Sequence, residues 1–226
     1  MDTSTLGDLL VLPPKASHSA TVIFVHGLGQ YRDSWIPVLQ KVVDRLPDVK
    51  WILPQAPSVP VTYYGGLHRP SWFDIANLPP RNHYDETGIG TSVSTIERLV
   101  MSEVRSGTES TRIFLVGFSQ GAALCLMTAL TTLHELGGVV SLSGWIPEPS
   151  RQAMHPLEPN LPVFWAHGVE DIEIPLSYGQ ECTTFLREEL HIPADKVTFK
   201  TYEGLEHTVN DAELDDLANW LSRHLD

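Results

Sequence analysis

Residues 114–126 read "FLVGFSQGAALCL". An apolar run enters this stretch, breaks at Gly117-Phe118-Ser119-Gln120-Gly121, and resumes as a second apolar run with helix-forming residues. The break spells Gly-x-Ser-x-Gly directly between a strand pattern and a helix pattern, the context in which that spacing has a mechanical meaning. A sharp strand-to-helix turn forces the serine into a strained backbone conformation, and side chains at the two flanking positions would strike neighbouring elements. Glycine at both removes the obstruction. The Ser119 hydroxyl is then expected at the carboxyl edge of a sheet, beside a helix N-terminus that favours developing negative charge.

Outward from the break, the chain alternates between two periodicities. Continuous apolar runs at 21–25 (TVIFV), 49–53 (VKWIL), 112–117 (RIFLVG), 138–143 (GVVSLS) and 162–167 (PVFWAH) predict strands buried on both faces. A more alternating run at 197–202 (VTFKTY) predicts a strand toward an edge. Between the runs, Trp35, Val38, Leu39, Val42 and Leu46 recur at helical spacing, as do Ile89, Val93, Ile96 and Val100. Residues 119–133, 176–190 and 211–225 supply three further helices. The last opens on the candidate caps Asn210 and Asp211 and carries the stripe Leu214, Leu217, Leu221 and Leu225. This alternation predicts a single α/β domain over residues 1–226, with a mostly parallel central sheet and helices on both faces. Residues 54–88, rich in proline and aromatics, are too long for a tight connection and predict a packed loop beside a pocket.

Composition narrows the function classes. The 226 residues are 42% hydrophobic and 19% charged, and the net charge of −13 opposes binding to nucleic acid or anionic lipid surfaces. Brief membrane contact through an apolar patch stays compatible with that charge. No run reaches the roughly 18 apolar residues that span a bilayer. The start, Met1-Asp2-Thr3, lacks the basic region and long apolar core of a secretory leader. Cys125 and Cys182 match no zinc or redox spacing, and Cys125 reads as a buried thiol. A cytoplasmic protein is expected, without a cofactor or metal. "TGIGTSV" at 87–93 lacks the third glycine of a dinucleotide loop, and none of the ten histidines falls in a metal-ligand motif.

A serine hydroxyl needs a base, and the base needs an orienting acid. On a sheet of this kind the chain order is serine, acid, histidine. Among the histidines after Ser119, His207 lies between the last predicted strand and the last helix, on the same rim as the serine. His134 falls on the helix after the break and His224 on the final helix, and both read as surface residues. His167 precedes any plausible acid and reads as a structural partner in its turn. For the acid, Glu170, Asp171 and Glu173 follow the strand ending at His167, and spacing alone does not separate Glu170 from Asp171. Asp195 and Glu206 are weaker candidates, one in a polar connection and the other adjacent to His207. Oxyanion donors are expected from the backbone N–H of Gln120 and from the loop "FVHGLGQ" at 24–30.

Taken together, "VIFVHGLGQ", "PSWFDI" (70–75), "GFSQGAAL", "LSGW" (142–145), "HGVEDIEIP" (167–175) and "FKTYEGLEH" (199–207) resemble the acyl-protein thioesterase and lysophospholipase branch of the α/β-hydrolases, the phospholipase/carboxylesterase family. The likeness runs from about residue 20 to the C-terminus, with the segments in order. It implies Ser119 as nucleophile, Asp171 as acid, His207 as base, and the N–H groups of Leu28 and Gln120 as oxyanion hole. It also implies an apolar acyl channel near the 70–75 loop, for which Trp72, Phe73, Ile75, Leu78 and Trp145 are candidates beside the simpler reading of those side chains as core. The implied substrates are acyl esters or thioesters, S-acylated proteins or lysophospholipids among them, with depalmitoylation and lipid metabolism as settings and a monomer or weak homodimer as assembly. The alternatives are a broad short-chain carboxylesterase and a non-catalytic ligand-binding protein on the same scaffold.

Two departures from the family pattern stand out. Ile172 and Glu173 replace the usual proline and apolar residue after the aspartate, so a carboxylate narrows or re-polarises the pocket mouth. The chain also begins Met-Asp-Thr where lipidated members begin Met-Gly-Cys.

Overall fold

A computed structural model describes residues 9–80, 84–155 and 160–225. The Met1-Asp2-Thr3 start therefore lies outside the described residues. Seven strands form one sheet: β1 (Leu9–Leu12), β2 (Ala20–Val25), β3 (Val49–Pro54), β6 (Ile113–Phe118), β7 (Gly138–Leu142), β8 (Val163–Gly168) and β9 (Val197–Tyr202). Their order is β1-β3-β2-β6-β7-β8-β9. Only β1 runs antiparallel to its neighbour β3; the other pairs are parallel.

Side chains alternate across the sheet, and the apolar runs explain why both faces are covered. Ile23 and Val25 of β2 and Ile113 and Leu115 of β6 point into one core. Val22, Phe24, Phe114 and Val116 point into the other. Helices α2 (Glu86–Arg105), α3 (Gln120–Ala129) and α4 (Leu176–Glu188) contribute to the first core, and α1 (Ile36–Arg45) and α5 (Asp211–Leu225) to the second. The final helix is capped by Asn210, whose Oδ1 accepts the Glu213 N–H at 2.9 Å.

The predicted loop at 54–88 has internal order. It contains a two-stranded antiparallel hairpin, β4 (Ser58–Val61) and β5 (Leu67–Pro70), that stands apart from the main sheet. Helix α3 ends at Ala129, short of the predicted 133, so His134 lies in the turn beyond it. Among the described residues, no helix is long and apolar enough to cross a membrane.

From β2 the chain moves one way to β3 and later returns to the other side of β2 as β6. The carboxyl ends of β2 and β6 therefore lie together at a reversal of strand order, where open α/β sheets form their crevice. Val25 pairs with Gly117 at this edge.

Candidate active site

Ser119 links β6 to α3 with φ 54 and ψ −120, a left-handed backbone that costs an L residue energy and persists only when its surroundings enforce it. Its N–H donates to the Leu142 carbonyl at 2.9 Å, tying the turn to β7. A Cβ at Gly117 would collide with the Gly121 backbone, and one at Gly121 with the Val25 carbonyl. The two glycines thus permit helix, strand and turn to touch.

His207 reaches the turn from the loop after β9. Its Nε2 lies 2.9 Å from Ser119 Oγ, and its Nδ1 lies 2.7 Å from Asp171 Oδ2. A carboxylate only accepts, so Nδ1 donates to Asp171 and Nε2 presents its lone pair to the serine hydroxyl. Asp171, in the turn after β8, is held in turn: its Oδ1 accepts the N–H groups of Glu173 at 3.0 Å and Ile174 at 2.8 Å. Glu170, Asp195 and Glu206 are all exposed. His167 is buried, donates Nε2–H to the Ile174 carbonyl at 2.7 Å and accepts the Trp165 indole N–H at 3.3 Å. Burial lowers its pKa, which keeps it a neutral strut under the Asp171 turn. His134 and His224 are half-buried. The first lies 3.9 Å from Glu97, and the second bonds the Trp220 carbonyl and stacks on its ring, away from the serine.

The loop after β2 faces the same hydroxyl. Gly27 N–H donates to Gln30 Oε1 at 2.8 Å and Gly29 N–H to the Pro70 carbonyl at 2.8 Å, while among the described residues no turn or loop bond takes the N–H of Leu28 or Gln120. His26 braces the loop from beneath: Nδ1 donates to the Gly27 carbonyl at 2.8 Å and Nε2 accepts the Ala56 N–H at 3.1 Å. Burial pushes its pKa down to about 4, so it is neutral.

Sequence reasoning missed His26, and it missed the side chain of Gln120. The Gln120 amide is fully buried and staples the 71–73 segment, accepting the Trp72 N–H at 3.1 Å and donating to the Phe73 carbonyl at 2.7 Å. Beyond Phe73 opens a cavity of about 610 Å³, walled by Phe73, Ile75, Trp145, Tyr84, Ile89 and Tyr178, with Arg151 and Glu181 among its polar residues. Of the five candidate channel residues, Phe73, Ile75 and Trp145 line it and Trp72 and Leu78 do not. Trp72 is turned inward, its indole N–H donating to the His26 carbonyl at 2.8 Å. Leu78 packs, partly buried, against the core.

Comparison with known proteins gives a consistent set of similarities. A model of the phospholipase/carboxylesterase family matches residues 6–225. An acyl-protein thioesterase 1 of Cryptococcus neoformans var. neoformans is 37% identical over 230 residues, covering 96% of this chain and 97% of that one. Another acyl-protein thioesterase 1, from Yarrowia lipolytica, is 38% identical over 219 residues, with 95% and 96% covered. The crystal structure of Arabidopsis thaliana SOBER1 superposes with a TM-score of 0.84 at 31% identity, covering 92% of this chain and 99% of that one.

Proposed function

The chain belongs to the phospholipase/carboxylesterase family, and on that premise we propose that it is a serine hydrolase of fatty acyl thioesters and esters. The observation that carries this reading is the unbroken chain of hydrogen bonds from Asp171 through His207 to Ser119. His207 Nε2 takes the hydroxyl proton as Ser119 Oγ attacks the acyl carbonyl. The proton then goes to the departing sulfur or oxygen, leaving an acyl-serine. Water, deprotonated by the same nitrogen, releases the acid and restores the serine. Asp171 holds the imidazole in the productive tautomer and stabilises its charged form. The N–H groups of Leu28 and Gln120 receive the carbonyl oxygen as it becomes negative, each donor contributing about 10²–10³ in rate.

The acyl chain lies in the cavity beyond Phe73. Its size and its wall of Phe73, Ile75 and Trp145 favour a fatty chain over an acetyl group. The relatives named acyl-protein thioesterase support S-acylated proteins as the substrate class.

The test is labelling with a fluorophosphonate alongside hydrolysis of p-nitrophenyl esters and thioesters of graded chain length. The expected adduct is on Ser119, and Ser119→Ala lowers kcat by about 10⁴-fold or more. An adduct elsewhere, or full activity in Ser119→Ala, would refute the reading.

A further inference from the structure

Glu173 occupies a position that the hydrolytic chemistry makes sensitive. The turn that leads from β8 to α4 is closed by Asp171 Oδ1 on the N–H groups of Glu173 and Ile174, so the backbone at 173 is fixed to the acid itself. From that anchored backbone the Glu173 carboxylate reaches to 3.8 Å from His207 Nε2 while its side chain stays 51% exposed. Nε2 is the atom that hands its proton to the departing group, so that group leaves through the space beside it. A negative charge at its margin, open to solvent, meets whatever the departing thiol or alcohol carries.

Burial raises the pKa of the Tyr64 phenol, and the neighbouring Tyr63 and then Glu173 add to it, so the Glu173 charge is felt at the Tyr64 hydroxyl. Arg69 stands over the ring of Tyr64, 5.8 Å from its centroid, on the hairpin side. Among the described residues, no lysine or arginine lies within ion-pair distance of Glu173; the basic group nearest its carboxylate is the His207 imidazole, which carries charge only while it holds the transferred proton. The net charge of −13 adds to the same sign of potential.

We propose that Glu173 selects substrates by the charge of the leaving group, favouring acyl thioesters whose thiol side carries a positive centre, as an S-acyl cysteine flanked by lysine or arginine does, and rejecting those whose thiol side is anionic. This rests on the reading of Ser119 and His207 as the reacting pair. It concerns the half of the substrate that departs, whereas the cavity beyond Phe73 receives the half that stays.

Three hexanoyl thioesters test it, with release of free thiol as the readout. One is S-hexanoyl thiocholine, the second is its uncharged analogue with tert-butyl in place of trimethylammonium, and the third is S-hexanoyl mercaptopropionate. A unit charge several ångströms from Glu173 at a wet site changes kcat/KM by about fivefold. The wild type should prefer the cationic ester over the neutral one by about that factor and disfavour the anionic one similarly. Comparing ratios within each protein cancels any general change in activity. Glu173→Gln should bring the cationic-to-neutral ratio close to one, Glu173→Lys should invert it, and salt at about 0.5 M should shrink it in the wild type. Equal kcat/KM for the three esters in an active wild type, or a ratio that neither variant alters, overturns the proposal. Failure to hydrolyse any of the three, with no labelling of Ser119, would instead refute the hydrolase reading on which it stands.

Discussion

At the scale of single residues, Gln120 joins two roles through two different parts of itself. Its backbone N–H is legible in the sequence, because a residue that follows a serine on such a turn has its amide at the helix start. Its side chain is not legible, because its partners, Ser71 through Phe73, lie nearly fifty positions away and nothing local announces them. Gln120→Ala keeps the backbone donor and leaves the Trp72 N–H unpaired inside the protein, while the Phe73 carbonyl retains only its bond from the Ser71 hydroxyl at 2.6 Å. The expected cost is about 2 kcal/mol in denaturant unfolding. KM for an octanoyl ester should rise more than KM for an acetyl ester, since the segment set loose forms the cavity wall. Equal KM changes for both esters would argue against the staple.

At the scale of elements, five of the sheet strands are readable because they are buried on both faces and so appear as unbroken apolar runs, and a sixth, β9, is readable from its alternation at the sheet edge. β1 escapes this reading: Leu9–Leu12 is short, only partly buried, and paired on one side only. The hairpin β4–β5 escapes it because prolines and exposed side chains hide its alternation. In α5, Glu213 sits in the first turn at 0% exposure, with neither carboxyl oxygen hydrogen-bonded to another described group. Burial, with a contribution from Asp171, raises its pKa to about 8 from 4.5.

The folded state therefore holds a proton that the unfolded chain has released between those two values, and stability falls as pH rises through that window. The neutral His26 acts with the opposite sign: the unfolded chain gains a proton below 6.5 that the folded state takes up only near 4, so stability falls as pH drops through that range. The two slopes oppose one another between 4.5 and 6.5, and above 6.5 Glu213 acts alone. A decline of about 2 kcal/mol is expected from pH 6.5 to 8. Thermal unfolding across that range should show the decline in the wild type and a clearly smaller one in Glu213→Gln. An identical decline in both proteins would assign it to other groups.

At the scale of the whole molecule, the topology explains how groups spread over nearly ninety residues meet at one edge. Parallel strands all point their carboxyl ends the same way, so the loops after β2, β6, β8 and β9 share a rim whatever their separation in the chain. This is why the serine and the histidine could be nominated from order and the acid narrowed to Glu170 or Asp171, with Asp171 singled out only by the family resemblance, while Glu173, His26 and Gln120 acquire their significance only from what surrounds them.

The same strand order distributes the reacting groups unequally. Ser119 leaves the middle of the sheet, whereas His207 follows β9, one of its two edge strands, which among the described residues pairs on one side only. Edge segments open at lower free energy than central ones. Heat should therefore detach the base from an otherwise intact protein, and activity should vanish reversibly several degrees below the loss of far-ultraviolet circular dichroism. Amide hydrogens in 197–210 should exchange faster than those in 113–118 over the same interval, and coincident midpoints with equal exchange would contradict this. Reinforcing the margin of the sheet, rather than its centre, is then the route to a longer working life at elevated temperature.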